Sequence, residues 1–243
     1  MKKTVKTKLV VLDMEGTIFR SKVAFNQNGK EYIGGVWTLL CDILGEDASL
    51  ANKKNYERFI HRNDPGQKSD YYGYFRFVED TILLHQRHNL TKSQFYYVIN
   101  SVSYFAGVCE TISRLKENGI RVAMITGGLK ALADRVVWDH GIDTCHAAAE
   151  YFWDGEELKR WSISPTDFEH KRALLEMLHN DLGIAQEEII FVGDGDNDQH
   201  IAAYCKSIAF NPTGKELHNH CSAVITQEPG KEDLSAILDY INW

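Results

Sequence analysis

Three short apolar runs, separated by segments with helical spacing, constrain the fold of this chain most strongly. They cover residues 8–12, 121–126 and 189–194, and each is rich in aliphatic residues, as is typical of strands buried on both faces. Alternating strands and helices pack as a mainly parallel sheet with helices on both faces. The sequence therefore predicts an α/β protein with a three-layer, doubly wound, Rossmann-like sheet.

The alternation stops after Thr17 and resumes at Gly107. Between these residues the chain reads as helices with aromatic stripes, with a turn at 63–66. We therefore predict two domains, listed by residue number: an α/β core from 1–20 and 106–243, and a helical cap, 21–105, inserted after the first strand. Two nearby crossings would let such a cap open and close. The predicted cap helices cover 33–44, 48–61, 70–88 and 91–101.

Composition narrows the class of partner. The formal net charge of −7 over 243 residues argues against a nucleic-acid binder, which needs a basic face. Neither a membrane-spanning apolar stretch nor a secretory h-region occurs in the sequence, so we expect no membrane partner. Five cysteines without a C-x-x-C pair are typical of a reduced, cytoplasmic protein. The aromatic residues of the predicted cap could form a dimer surface, so a homodimer stays an alternative.

Polar residues follow each of the three apolar runs. Asp13 and Glu15 follow the first, Thr126 and Gly127 end the second, and an acidic run, 194–198, ends the third. Because the carboxyl ends of parallel strands lie at one edge of a sheet, we expect these groups to line one crevice. A lysine, number 171, stands near the start of the helix before the third strand and could join them.

These residue types suit phosphoryl transfer. Asp13 could attack phosphorus and form an aspartyl-phosphate, and Glu15 could protonate the leaving alkoxide and then deprotonate water, if neighbouring carboxylates raise its pKa. Asp194, with Asp13 and a backbone carbonyl of the first loop, offers the hard oxygen ligands that suit Mg²⁺.

Two further groups would hold the phosphate. The hydroxyl of Thr126 and the backbone of Gly127, which we predict to open a helix, can bind an anion at a helix N-terminus. Lys171 would balance the remaining negative charge and hold nucleophile and phosphate together. The order and spacing of all these segments predict a phosphate site.

The segments resemble the four motifs of the haloacid dehalogenase-like superfamily. The Thr-Gly-Gly sequence, the Gly-Asp-Gly-x-Asn-Asp sequence and the helical insertion after motif one are similar to its phosphoserine phosphatase branch. The resemblance implies the α/β core and cap of that family and a Mg²⁺ cofactor. It also implies these roles: Asp13 as nucleophile, Glu15 as acid/base and main-chain metal ligand, Thr126 and Gly127 on phosphate, Lys171 as the motif-three lysine, Asp194 on metal, and Asn197 and Asp198 supporting phosphate, metal and lysine.

The chain departs from that pattern at two places. Most phosphatases of the superfamily have aspartate where Glu15 stands, although a phosphoserine:homoserine phosphotransferase of this branch has glutamate. Phosphoserine phosphatases typically have a glutamate shortly after motif one, whereas this chain has Arg20 and Lys22. Either basic residue is solvated or favours a substrate with a carboxylate or second phosphate. Arg76 is another candidate ligand for a substrate anion.

These observations predict a Mg²⁺-dependent phosphatase for a small phosphorylated metabolite, working through an aspartyl-phosphate. Two alternatives stay open. A phosphotransferase would deliver the phosphoryl group to an alcohol, which is consistent with Glu15. A non-catalytic protein could bind a phosphorylated ligand on the same fold.

Overall fold

The computed structural model describes residues 5–20, 23–27, 30–61 and 71–243, so Lys22 and the predicted turn at 63–66 lie outside the described residues. The chain divides into two compact units. The core unit contains 1–20, 104–147 and 166–243, and the second unit contains 21–103 and 148–165. The segment 148–165 thus belongs with the second unit, whereas the predicted domain division placed it in the α/β core; that division stays a prediction.

Nine strands are described. In chain order they are β1 (Leu9–Leu12), β2 (Val23–Gln27), β3 (Lys30–Gly34), β4 (Arg121–Leu129), β5 (Thr144–Asp154), β6 (Glu157–Ile163), β7 (Ile189–Gly193), β8 (Lys206–Phe210) and β9 (Ala223–Ile225). The helices are α1 (Val36–Asp42), α2 (Glu46–His61), α3 (Tyr71–Arg87), α4 (Lys92–Ser101), α5 (Val108–Glu117), α6 (Lys130–His140), α7 (Glu169–Leu182) and α8 (Gln199–Ala202). None of the described helices combines the length and apolarity needed to cross a bilayer.

The sheet of the core unit is built around β1. Strand β1 pairs in parallel with β4 and with β7, so that Leu12 lies between Met124 and Val192. Strands β8 and β9 continue the parallel order beyond β7, and β5 begins next to β4. All four residues of β1 are fully buried, as a strand covered by helices on both faces requires. The predicted α/β fold class is confirmed.

Two helices of the core unit end at glycines. Gly141 ends α6 and Gly183 ends α7, both in the left-handed conformation that glycine adopts without a side-chain penalty. Apolar side chains of the helical segments pack against the sheet, where Leu175, Ile201 and Leu217 join the central strands in one buried cluster.

Three boundaries differ from the prediction. Strand β4 continues through Gly127 and Gly128, and α6 begins only at Lys130, because two glycines favour extended chain over a helical first turn. The sequence predicts a helix near 199–205, but α8 ends at Ala202, and it predicts a final helix over 232–241, where the structure has a 3₁₀ helix, Leu234–Tyr240.

The second unit contains more than helices. Helix α4 has Thr91 as its N-cap; the Thr91 side chain accepts from Gln94 N while the Gln94 side chain accepts from Thr91 N. Strands β2 and β3 pair antiparallel, which the sequence analysis did not predict, although the Asn-Gly dipeptide that follows Gln27 in the sequence is a hairpin signal. Strands β5 and β6 form an antiparallel hairpin with its turn at Asp154-Gly155, a dipeptide typical of hairpin turns.

Candidate active site

The first site residue, Asp13, follows β1 directly and is anchored by its backbone. Its amide donates to Val192 O at 2.9 Å, which fixes it against β7. The chain then turns tightly, because Met14 O accepts from both Ile18 N at 2.8 Å and Phe19 N at 3.0 Å. Asp13 is 5% exposed, so a reactant has narrow access to this carboxylate.

Gly16 lets this turn approach the end of β7. Its φ of +89° lies in the left-handed region, and a Cβ at this position would collide with the carboxylate of Asp194. The turn after Asp13 and the first acidic residue after β7 are therefore in van der Waals contact. This close approach brings the first and third predicted motifs together.

Lys171 joins the carboxylates. Its side chain is fully buried, and Nζ lies 2.7 Å from Asp13 Oδ1, 2.5 Å from Asp198 Oδ1 and 3.5 Å from Asp167 Oδ1. Burial alone lowers the pKa of Lys171, but the aspartates together raise it well above its usual value. The ammonium is therefore charged at neutral pH and holds the nucleophile candidate in one orientation.

Three buried carboxylates lie close enough to share a cation. One oxygen each of Asp13, Asp194 and Asp198 lies within 4.8 Å of the others. Burial, reinforced by Asp13 and Asp198, raises the pKa of Asp194 well above its ordinary value. Burial likewise raises the pKa of Asp198 to about 6 and raises that of Asp13, although Lys171 opposes both shifts. A cluster of acceptor-only oxygens with excess negative charge fits a hard divalent cation.

The predicted phosphate-binding segment, Thr126 and Gly127, lies near the end of β4, the strand next to β1. The hydroxyl of Thr126 accepts from Gly128 N at 3.0 Å, and Thr126 O accepts from the Thr166 hydroxyl at 2.6 Å. Glu15 lies beside Gly128, since its Oε2 would be 3.8 Å from a Cβ there. Gly127 stands in extended chain before α6 and not in its first turn, which corrects the predicted helix N-terminus.

Asp167 is a site residue that the sequence analysis missed. It is buried, four residues before Lys171, and accepts from Asn197 Nδ2 at 2.7 Å. Between Asp167 and the helix stands Phe168, a non-glycine residue with φ +50°. Such a conformation is costly and often occurs at functional sites. The i, i+4 spacing of the aspartate and the lysine was a usable signal.

A loop after β8 also contacts the site. Thr213 donates from its amide to Asp194 O at 2.9 Å, and its hydroxyl lies 3.3 Å from Asp194 Oδ2. In return, Asp196 Oδ1 accepts from the amides of Glu216 at 2.9 Å and Leu217 at 3.1 Å. Asp196 is therefore a structural residue that fastens the loop next to Asp194.

The two basic candidates among the described residues, Arg20 and Arg76, lie in different surroundings. Arg20 pairs with Glu232 at 2.9 Å and lies over the ring of Phe105. These two contacts hold the side chain within the core unit. Arg76 is exposed on α3, in the second unit. It lines a groove of about 860 Å³ between α2 and α3, and the groove has several other cationic side chains, Lys54, Arg58 and Arg87.

A parallel α/β sheet with a lysine-bridged cluster of aspartates at its strand ends defines a class of hydrolase. Residues 7–203 match the model of the haloacid dehalogenase-like hydrolase family. The chain belongs to this family, which confirms the resemblance drawn from its motifs.

Curated relatives support the same branch. The chain is 30% identical over 148 residues to a phosphoserine phosphatase of Methanocaldococcus jannaschii, covering 59% of this chain and 66% of that protein. It is 29% identical over 115 residues to one of Archaeoglobus fulgidus, covering 47% of this chain and 33% of that protein. The matches thus span between a third and two thirds of these relatives.

Solved structures share the fold along almost the whole chain. A phospho-aspartyl intermediate analogue of phosphoserine phosphatase matches with a TM-score of 0.72 and 21% identity, covering 97% of this chain and 99% of that one. A substrate-bound phosphoserine phosphatase complex matches with a TM-score of 0.73 and 20% identity over the same shares. At these identities the likeness concerns the fold.

Proposed function

We propose that this protein is a Mg²⁺-dependent phosphatase that hydrolyses a small phosphomonoester through an aspartyl-phosphate on Asp13. The observation that carries the proposal is the buried Lys171, whose Nζ lies within hydrogen-bond distance of both Asp13 and Asp198. A structural ion pair needs one carboxylate, whereas this ammonium meets three. The acidic neighbours of Asp194, which help to raise its pKa, favour a bound cation there, and that cation would in turn attract a phosphoryl group.

In the first half-reaction, an Asp13 oxygen attacks phosphorus and the bond from phosphorus to the ester oxygen breaks. The leaving alkoxide takes the proton of Glu15, which lies beside Gly128 at the end of β4. Lys171 favours the ionised form of Asp13 and orients it, since its ammonium binds Oδ1 and leaves the other oxygen to react.

In the second half-reaction, water attacks the phosphorus of the aspartyl-phosphate. Glu15, now ionised, accepts the proton of that water, and the bond between phosphorus and the Asp13 oxygen breaks to release inorganic phosphate. The hydroxyl of Thr126, the backbone of Gly127 and the side chain of Asn197 are the proposed phosphate ligands at the surrounding strand ends.

Asp13, Asp194 and Asp198, with the main-chain carbonyl of Glu15, would hold Mg²⁺. When bound, the ion neutralises charge on the transferring phosphoryl group. Asp198 also binds Lys171, and Asn197 binds Asp167, so these two residues keep the ammonium and the carboxylates in register.

The substrate is proposed to be a small phosphorylated metabolite with a second anionic group. Arg76 supports this, because it lies in a groove with more cationic than acidic side chains. All five cysteines are free thiols, which suits a reducing compartment, and we place the reaction in the cytoplasm.

The test is phosphate release from a panel of small phosphomonoesters, phosphoserine included, with Mg²⁺ or with EDTA. We expect Mg²⁺-dependent turnover of at least one ester. Asp13→Asn should lose it by more than about 10³-fold, because the nucleophile is gone. Asp134→Asn is the matched control, since Asp134 is a half-exposed aspartate paired with Lys130 on α6.

Borohydride reduction of enzyme quenched during turnover should convert residue 13 to homoserine, which mass spectrometry detects. The proposal would be contradicted if Asp13→Asn and Asp134→Asn lost phosphatase activity equally, or if EDTA left turnover undiminished. Analysis of the products with added alcohols separates water from an alcohol as acceptor.

A further inference from the structure

A cluster on the core unit holds the turn that carries Glu15. The turn closes with a hydrogen bond from Gly16 N to Phe19 O at 2.6 Å, and Glu15 and Phe19 form an isolated β-bridge. The position of Glu15 therefore depends on the position of Phe19, whose side chain is fully buried.

Phe19 is held from one face by the chain that returns to the core unit. Its ring stacks on Tyr104 with centroids 4.5 Å apart and an interplanar angle of 20°. The backbone adds a β-bridge between the two residues and a hydrogen bond from Phe105 N to Ile18 O at 3.0 Å. The two rings thus form one aromatic surface beside the Glu15 turn.

Arg135 of α6 covers both rings. Its guanidinium carbon lies 5.2 Å from the Phe19 ring centroid and 4.8 Å from that of Tyr104, within the range of cation–π attraction. Asp139, one turn further along, lies 3.6 Å from Arg135 Nε and accepts from the Tyr104 hydroxyl at 2.6 Å. Helix α6 therefore fixes both rings through one cation and one carboxylate.

We infer that Arg135 is a positioning residue, which holds Phe19 and Tyr104 and thereby orients Glu15 for proton transfer to the leaving group. Helix α6 begins just after the Thr126–Leu129 end of β4, so the same helix follows the proposed phosphate segment and holds the Glu15 turn. The role assigned to Glu15 rests on the proposed function; the mechanical role of Arg135 does not.

The test compares Arg135→Met with Arg114→Met, a matched control in which another arginine of the core unit loses a cation–π contact, here with Trp243. The first readout is kcat/KM for an alkyl phosphate and for p-nitrophenyl phosphate, which reports the first half-reaction. An alkoxide needs the proton of Glu15, whereas p-nitrophenolate leaves without it. We expect Arg135→Met to lower the alkyl value about tenfold more than the aryl value, and Arg114→Met to lower both equally or not at all.

The second readout is amide hydrogen exchange in the peptide around Gly16 and Phe19. We expect exchange to be roughly tenfold faster in Arg135→Met and unchanged in strand β8. The inference would be overturned if Arg135→Met left amide exchange at the turn unchanged, or if it lowered kcat/KM equally for both esters.

Two further outcomes are decided by the same design. If wild-type protein turned over neither ester, the proposed function would fail, while the exchange readout would still show whether Arg135 holds the turn. If Arg135→Met did not fold, Tyr104→Phe replaces it, since it removes only the hydroxyl donated to Asp139. A smaller change in the same direction supports the inference, and no change overturns it.

Discussion

At the scale of single residues, the candidate site depends on contacts that admit no extra atoms. Gly16 faces the carboxylate of Asp194, and Gly193 faces that of Asp198. The proposed nucleophile and metal ligands are thus placed by glycines as much as by their own side chains. Larger residues at these positions would separate the carboxylates that Lys171 and a cation hold together.

Gly16→Ala should lower turnover by about 10²-fold or more, because the new methyl group displaces Asp194 by about an ångström. Gly119→Ala is the matched control: Gly119 also has a positive φ, of +74°, but a Cβ there meets nothing within 4 Å. Both variants should lose about 1 kcal/mol of stability in urea unfolding from backbone strain. Similar turnover in the two variants would show that Asp194 does not need this close approach.

At the scale of elements, the site is assembled from strand ends and from the loops that fasten them. The strand ends could be predicted from sequence, because Asp13, Thr126 and Asp194 each follow an apolar run that is buried in the sheet. For Asp167 the i, i+4 spacing to Lys171 was the one available signal, because the positive φ of Phe168, which stands between them, has no reliable sequence signal.

Contacts between segments that are distant along the chain could not be predicted from the sequence either. Nothing local to Thr213 indicates that it donates to Asp194, since the loop reaches the site only after β8 has joined the sheet. The segment 148–165 illustrates the same limit: β5 begins in the core unit and ends in the second, and periodicity does not indicate where a strand passes from one unit to another.

Asp196→Ala should free the loop at Glu216 and Leu217 and so loosen the residues that support Asp194. We expect the Mg²⁺ concentration for half-maximal activity to rise about tenfold, with less change in kcat, as for other residues that orient metal ligands. Asp196→Asn is the control, because its amide keeps an acceptor oxygen for the two backbone amides. The interpretation is wrong if both variants need the same Mg²⁺ concentration as the wild type.

At the scale of the whole molecule, the buried carboxylates of the site lower the stability of the folded protein. Four buried aspartates surround one lysine, and burial raises the pKa values of Asp13, Asp167, Asp194 and Asp198. Unpaired buried charge is unfavourable to folding, and proteins commonly accept this cost at functional sites.

The pKa of Asp194, raised by burial and by its acidic neighbours, predicts the pH dependence of stability without metal. Its stabilising contribution is fully present below its unfolded pKa near 4 and is lost as pH rises through the raised folded pKa. In EDTA, Asp194→Asn should therefore be more stable than wild type at pH 7.5, on the order of 1 kcal/mol, with a smaller difference at pH 5.

Urea unfolding at the two pH values measures this difference. Mg²⁺ should stabilise the wild type at pH 7.5 and leave Asp194→Asn nearly unchanged, because binding to the native state alone shifts the unfolding equilibrium. A variant less stable than wild type in EDTA at pH 7.5 would mean that the Asp194 charge is already compensated.

The central position of β1 has a consequence for how the protein is made. Strand β1 is translated before both of the strands it pairs with, β4, which begins at Arg121, and β7, which begins at Ile189. At roughly 5–20 residues per second, translation needs about 10–35 s to supply β7 after β1. Until β4 is translated the apolar strand β1 has neither parallel neighbour, and until β7 is translated it has at most one, so a ribosome-associated chaperone that shields it should raise the yield of folded protein.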